Sequence, residues 1–137
     1  MSSVRTLLVI EDNPGDARLL CEMLAGERTR RVHVGTMIDA ETHLARHAVD
    51  VVLLDLGLPD SQGLDAIRRI RAAAPEVPLI VLTGTDDDVL AATSLPQGAQ
   101  DYLVKGQIDS RGLLRAWRYA GERKRLELTE IRGDGSL

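Results

Sequence analysis

Four apolar runs in this chain are each followed at once by polar residues of different kinds. Glu11-Asp12 follow Leu7-Leu8-Val9-Ile10, Asp55 follows Val51-Val52-Leu53-Leu54, Thr83 follows Leu79-Ile80-Val81-Leu82, and Lys105 follows Tyr102-Leu103-Val104. Singly, each has a bland explanation, since an Asp after a strand is usually a cap or turn residue. As a set they are much harder to dismiss. Three carboxylates brought together would raise one another's pKa values and destabilise the fold unless something compensated them. Lys105 supplies one positive charge, and a divalent cation would supply two more and bring the site to neutrality. Ligands that are all hard oxygens suit Mg²⁺, which keeps several waters and binds through one or two carboxylates. A metal and a lysine beside a carboxylate can hold a phosphoryl group for in-line transfer. A carboxylate is also a competent covalent nucleophile toward phosphorus, and Thr83 has a hydroxyl to donate to a phosphoryl oxygen.

The elements that would gather these residues alternate along the chain. The wholly apolar runs 7–10, 51–54 and 79–82 read as strands buried on both faces. Val32 to Thr36 is a weaker strand and 102–104 a short last one. Between them, Asn13 caps a helix with Pro14 at its first position, and Ala17, Leu20, Cys21 and Leu24 form its apolar stripe. Further helices are expected from Ile38 to His47, Ser61 to Ala73, Asp88 to Leu95, and from Leu113 onward, the last with Trp117 turned onto the sheet. Strands joined by helical crossovers lie parallel, with right-handed crossovers. The expected fold is α/β: a doubly wound, three-layer, five-stranded parallel sheet, (βα)5 and flavodoxin-like, with an extended C-terminal helix. Ligands of such sheets bind outside the carboxyl ends of the strands, which is where the four polar sets fall.

Composition sets the outer limits. The 137 residues fit one domain. Aromatic content is 2% with no Phe, so Leu, Val, Ile and Ala must build the core. A net charge of −4 argues against a large nucleic-acid footprint. Cys21 is the only cysteine, which excludes an internal disulfide and favours a reducing compartment. No apolar run approaches the ~20 residues that cross a bilayer, and the N-terminus carries no signal-peptide pattern. These features lead to the expectation of a cytoplasmic protein with no membrane or nucleic-acid partner.

The motifs Glu11-Asp12, Asp55-Leu56-Gly57-Leu58-Pro59 with Gly63, Thr83-Gly84 and Asp101-Tyr102-Leu103-Val104-Lys105 occur in the order found in receiver domains of bacterial two-component response regulators, and the chain resembles that family from Leu7 to about Gly121. The resemblance implies that Asp55 is the phosphoacceptor, loaded from a phosphohistidine on a histidine kinase or histidine phosphotransfer protein. It implies that Mg²⁺ is held by Asp12, Asp55 and the backbone carbonyl of Gly57, with Glu11 acting through water. Lys105 would pair with the phosphoryl group, Thr83 would move toward it, and Tyr102 would rotate inward behind. That shift would alter the surface of the fourth helix, the last strand and the last helix. Residues 1–121 would form the receiver domain, and 122–137 a helix extension with a disordered tail. The chain would catalyse only its own phosphorylation and dephosphorylation, and would act alone, through a downstream effector domain or protein, or as a homodimer.

The sequence departs from the family pattern at Gly106, where a proline usually follows the lysine. A cis peptide there would be costly without proline, so the isomer of the Lys105–Gly106 bond is open. Pro96 removes a backbone donor and should shorten or distort the fourth helix. Three features read as structural: His43 and His47 lack a third metal ligand, Asp86-Asp87-Asp88 favours a helix dipole, and Glu122-Arg123-Lys124-Arg125 forms a solvated face. An Asp-nucleophile phosphohydrolase of the haloacid-dehalogenase type would need a second Asp where Gly57 stands. A flavodoxin-like electron carrier would need a phosphate cradle where Glu11-Asp12 stand.

Overall fold

Five strands, β1 (Arg5–Ile10), β2 (Thr29–Val34), β3 (Val51–Asp55), β4 (Leu79–Thr83) and β5 (Asp101–Val104), form one parallel sheet in the order β2-β1-β3-β4-β5. They belong to a computed structural model that describes residues 4–84, 93, 96–97, 99, 101–107, 109 and 111–120. The helices are α1 (Pro14–Met23), α2 (Met37–Arg46), α3 (Gly63–Ala73) and a C-terminal helix over residues 111–120. Most of the expected helix at Asp88 to Leu95 and all of the extension 122–137 lie outside the described residues; of that stretch, Thr93 is helical and Pro96 stands in a turn.

Each central strand alternates its apolar side chains between two cores. Leu8, Ile10, Val52, Leu54, Leu79 and Val81 pack under α2 and α3. Leu7, Val9, Val51, Leu53, Ile80 and Leu82 pack under α1 and the C-terminal helix. The three-layer expectation therefore holds, and it explains why these runs are apolar at every position. Each such side chain, fully buried, contributes about 1.5–3 kcal/mol. Cys21 is half-buried in the second core, as its place in the α1 stripe implies, and burial raises its thiol pKa.

Several element boundaries differ from expectation: β1 begins at Arg5 and β5 at Asp101, α2 runs from Met37 to Arg46, and β2 and α3 are displaced for physical reasons. Strand β2 begins three residues earlier, at Thr29, and ends at Val34. It is an edge strand pairing only with β1, so exposed Arg30 and Arg31 fit on it despite lacking apolar character. Thr36 is not in the strand: its hydroxyl caps α2 by accepting from the Asp39 N–H at 3.1 Å. Helix α3 starts at Gly63 rather than Ser61, because 57–62 form a tight loop closed by a Gly57–Gln62 bridge. Gly63 leaves that loop with φ at +59°, where a side chain would be strained. As expected, Asn13 caps α1 with Pro14 following.

Trp117 is 1% exposed against the sheet. The Arg5 guanidinium stacks on its ring at 3.9 Å and donates to its carbonyl at 3.3 and 3.4 Å. This ties the start of β1 to the C-terminal helix. His43 and His47 stack at 4.6 Å, and among the described residues no third ligand joins them.

Candidate functional site

At the carboxyl edge of the sheet, Glu11 continues β1 for one residue by donating its N–H to the Val34 carbonyl at 3.0 Å. Its side chain is buried, whereas that of Asp12, one residue on, is exposed. Asp55 ends β3 beside Leu82 of β4 and is 5% exposed. Carboxylate oxygens of Glu11, Asp12 and Asp55 lie within 4.8 Å of one another. Lys105 leaves β5 in a 3-10 turn over Lys105–Gln107. Its Nζ donates to both Glu11 oxygens at 2.7 and 2.8 Å and to Asp16 Oδ2 at 3.2 Å, and sits 3.4 Å from Asp55 Oδ2. The Lys105–Gly106 bond is trans, as no cis peptide occurs among the described residues.

The electrostatics follow from this crowding. Burial, reinforced by the neighbouring Asp55, pushes the Glu11 carboxyl up to about 7 against the opposing pull of Lys105. For Lys105, burial lowers the pKa, but the hydrogen bond to Glu11 and the charge of Asp55 outweigh it and leave the ammonium raised. The site is therefore short of positive charge. Its donor set is all oxygen and suits a hard divalent cation.

The other side of Asp55 is an open groove bordered by Gly57, Gln62, Thr83 and Gly84. Thr83 ends β4 and is 5% exposed. Backbone bonds fix the loop after β3: Leu56 N–H donates to the Leu82 carbonyl and Gly63 N–H to the Leu56 carbonyl, both at 3.0 Å. The Gly57 N–H donates to Asp55 Oδ1 at 3.2 Å. Tyr102 lies apart, half-buried on β5 beside Val81 and packed against the core under α2 and α3.

Five of the expected residues, Glu11, Asp12, Asp55, Thr83 and Lys105, thus converge with Gly57, while Tyr102 stands behind them. Two residues outside that expectation also take part. Asp16 joins Lys105 from the first turn of α1, and the cap-helix spacing from Asn13 could have placed it near Glu11. It makes a fourth carboxylate, so a lysine and a divalent cation no longer neutralise the cluster, and the half-exposed Asp16 relies on solvent. Asp60 accepts from the Met37 and Ile38 N–H groups at 2.8 and 3.0 Å, tying the loop after β3 to the start of α2. The Met37 bond is the main reason its carboxyl pKa is lowered. No sequence signal marks that tertiary cap.

The family model for the response regulator receiver domain matches residues 7–117. Swarming motility regulation protein RssB of Serratia marcescens is 36% identical over 99 residues, which cover 72% of this chain and 45% of that protein. DNA-binding response regulator MtrA of Mycolicibacterium smegmatis is 37% identical over 99 residues, covering 72% of this chain and 43% of that one. The chain thus spans less than half the length of these curated relatives. The signal receiver domain of an HD domain-containing protein from Pseudomonas fluorescens Pf-5 superimposes with a TM-score of 0.84 at 26% identity, covering 94% of this chain and 95% of that domain.

Proposed function

Because the chain belongs to the response-regulator receiver family, we propose that it works as a phosphorylation switch in which Asp55 takes a phosphoryl group from a phosphohistidine on a histidine kinase or histidine phosphotransfer protein. The observation that carries this reading is the double position of Asp55. Among the described residues it is the one carboxylate that touches the Lys105 ammonium on one side and borders the open groove with Thr83 on the other.

In the transfer, an Asp55 oxygen attacks phosphorus in line while the P–N bond to the donor imidazole breaks and the imidazole leaves with the bonding pair. Lys105 holds an oxygen of the transferred group, and the Thr83 hydroxyl donates to another. Asp12, Asp55 and the Gly57 carbonyl would hold Mg²⁺ directly and Glu11 through water, and the ion would supply neutralisation of charge on the phosphoryl oxygens. Hydrolysis of the acyl phosphate resets the switch, so the chain turns over no substrate beyond its own phosphoryl group. Contacts from Thr83 and Tyr102 would bias two states of the surface around β5 and the C-terminal helix, together with the helix expected at Asp88 to Leu95.

The same reading takes 1–121 as the receiver and 122–137 as an extension toward an effector domain, an effector protein or a second copy of the chain. A cytoplasmic setting belongs to the same reading; among the described residues no helix is long and apolar enough to cross a membrane. Phosphohydrolase chemistry is not favoured, since Gly57 occupies the position an acid/base carboxylate would need.

Incubation with Mg²⁺ and acetyl phosphate tests the assignment. One phosphoryl group is expected by intact mass, dependent on Mg²⁺ and abolished in Asp55→Asn. Undiminished labelling of Asp55→Asn overturns it.

A further inference from the structure

We propose that Asp16 is a positioning residue that holds Lys105 back in the resting chain, taking one of its hydrogen-bond donors until a phosphoryl group claims it. The inference rests on Asp55 as the phosphoacceptor. An ammonium has three donors and no acceptor. In the resting site those donors serve the two Glu11 oxygens at 2.7 and 2.8 Å and Asp16 Oδ2 at 3.2 Å. The 3.4 Å approach to Asp55 is an ion-pair contact. A phosphoryl oxygen on Asp55 can therefore be served only if an existing partner lets go.

The two partners differ in what release costs. The Glu11 side chain is 1% exposed, and losing the ammonium would strand a buried charge. The Asp16 side chain is 46% exposed, and water replaces the lysine there with little loss. Asp16 is thus the exchangeable partner. It cannot follow Lys105 inward, because its backbone N–H is held by the Asn13 cap at 3.1 Å in the first turn of α1, behind Pro14. A fixed, half-exposed carboxylate at this point is a brake on the reaction at Asp55, since its pull on the ammonium must be overcome in each transfer.

The full chain and its Asp16→Asn and Asp16→Glu variants are compared in the rate of labelling by acetyl phosphate at saturating Mg²⁺, over a range of donor concentrations. Asp16→Asn keeps the side-chain size and the cap but removes the charge, and should raise the maximal rate by roughly two- to fivefold, the span of an exposed ion pair. Asp16→Glu restores the charge and should return the rate toward that of the parent. The gain should shrink as salt screens the pair. An unchanged or lowered maximal rate in Asp16→Asn overturns the inference, as does a change confined to the donor concentration at half-maximal rate, which would mark simple repulsion of the anionic donor. Asp55→Asn run alongside separates the two levels. If the parent and Asp55→Asn label alike, the phosphoacceptor assignment fails; if the parent labels on Asp55 and Asp16→Asn matches it, only the role of Asp16 fails.

Discussion

On one flank of Asp55, Lys105 reaches over from β5 to a buried Glu11 and to Asp16. On the other, Gly57, Gln62, Thr83 and Gly84 border an open groove whose described lining carries no charge besides Asp55 itself. The first flank is closed and its charges are already engaged before anything binds. The second offers open space beside Asp55 and carries no further charge of its own. Changes on the charged flank should therefore register in folding as well as in chemistry, whereas changes on the groove flank should register in chemistry almost alone.

The largest effect should come from the groove. If Thr83 serves the phosphoryl group as proposed, Thr83→Ala should slow labelling by acetyl phosphate about tenfold or more, with roughly 1–2 kcal/mol lost in urea unfolding. A large stability loss with an unchanged rate would break the contrast between the flanks.

A smaller effect, in stability, should come from the charged flank. Glu11 has a folded pKa of about 7, raised from 4.5. The folded chain therefore binds more protons than the unfolded chain between those values, and in chelator its stability should fall as pH rises through that window. Lys105→Met removes the group that opposes this shift. It should steepen the fall and extend it above pH 7, because a deprotonated Glu11 is then buried without its cation. Glu11→Gln in the Lys105→Met background should flatten the curve again. Thermal melts across pH provide the measurement, and a Lys105→Met profile parallel to the parent would refute the account.

The smallest effect sharpens the role of repulsion. Asp12 is exposed at the edge of the carboxylate cluster. Asp12→Asn should weaken Mg²⁺ binding by calorimetry, yet raise the melting temperature in chelator by about 1–3 °C as like charges separate. Equal Mg²⁺ affinity, or a lower melting temperature, would count against a shared charge field.

The parts legible in sequence were those set by short-range pattern. Strands β3 and β4 are apolar up to their last residues, Asp55 and Thr83, because both faces are covered, so their limits can be read almost to the residue. The Asn13-Pro14 cap is equally local. Strand β2 was misplaced because an edge strand tolerates Arg30 and Arg31, and Thr36 resembles a strand residue until its hydroxyl is seen to cap α2. The start of α3 was misplaced because the Gly57–Gln62 bridge holds Ser61 and Gln62 in the loop. In the site, the ends of the strands announced Glu11, Asp55, Thr83 and Lys105. Asp16 and Asp60 stayed hidden because their partners, Lys105 and the start of α2, are distant in sequence.

The Arg5 stack on Trp117 has a spectroscopic consequence. Trp117 is the chain's only tryptophan, so all indole emission comes from a ring 1% exposed and covered by a guanidinium. Its carbonyl is held at the start of β1, and six strand residues put that point about 20 Å from the carboxyl edge where Glu11 and Asp55 meet. Emission should be blue-shifted in the folded chain and move to the red when the sheet and the last helix separate. The indole is thus a built-in gauge of whether the C-terminal helix is seated, read without any label and from the end of the sheet opposite to the chemistry.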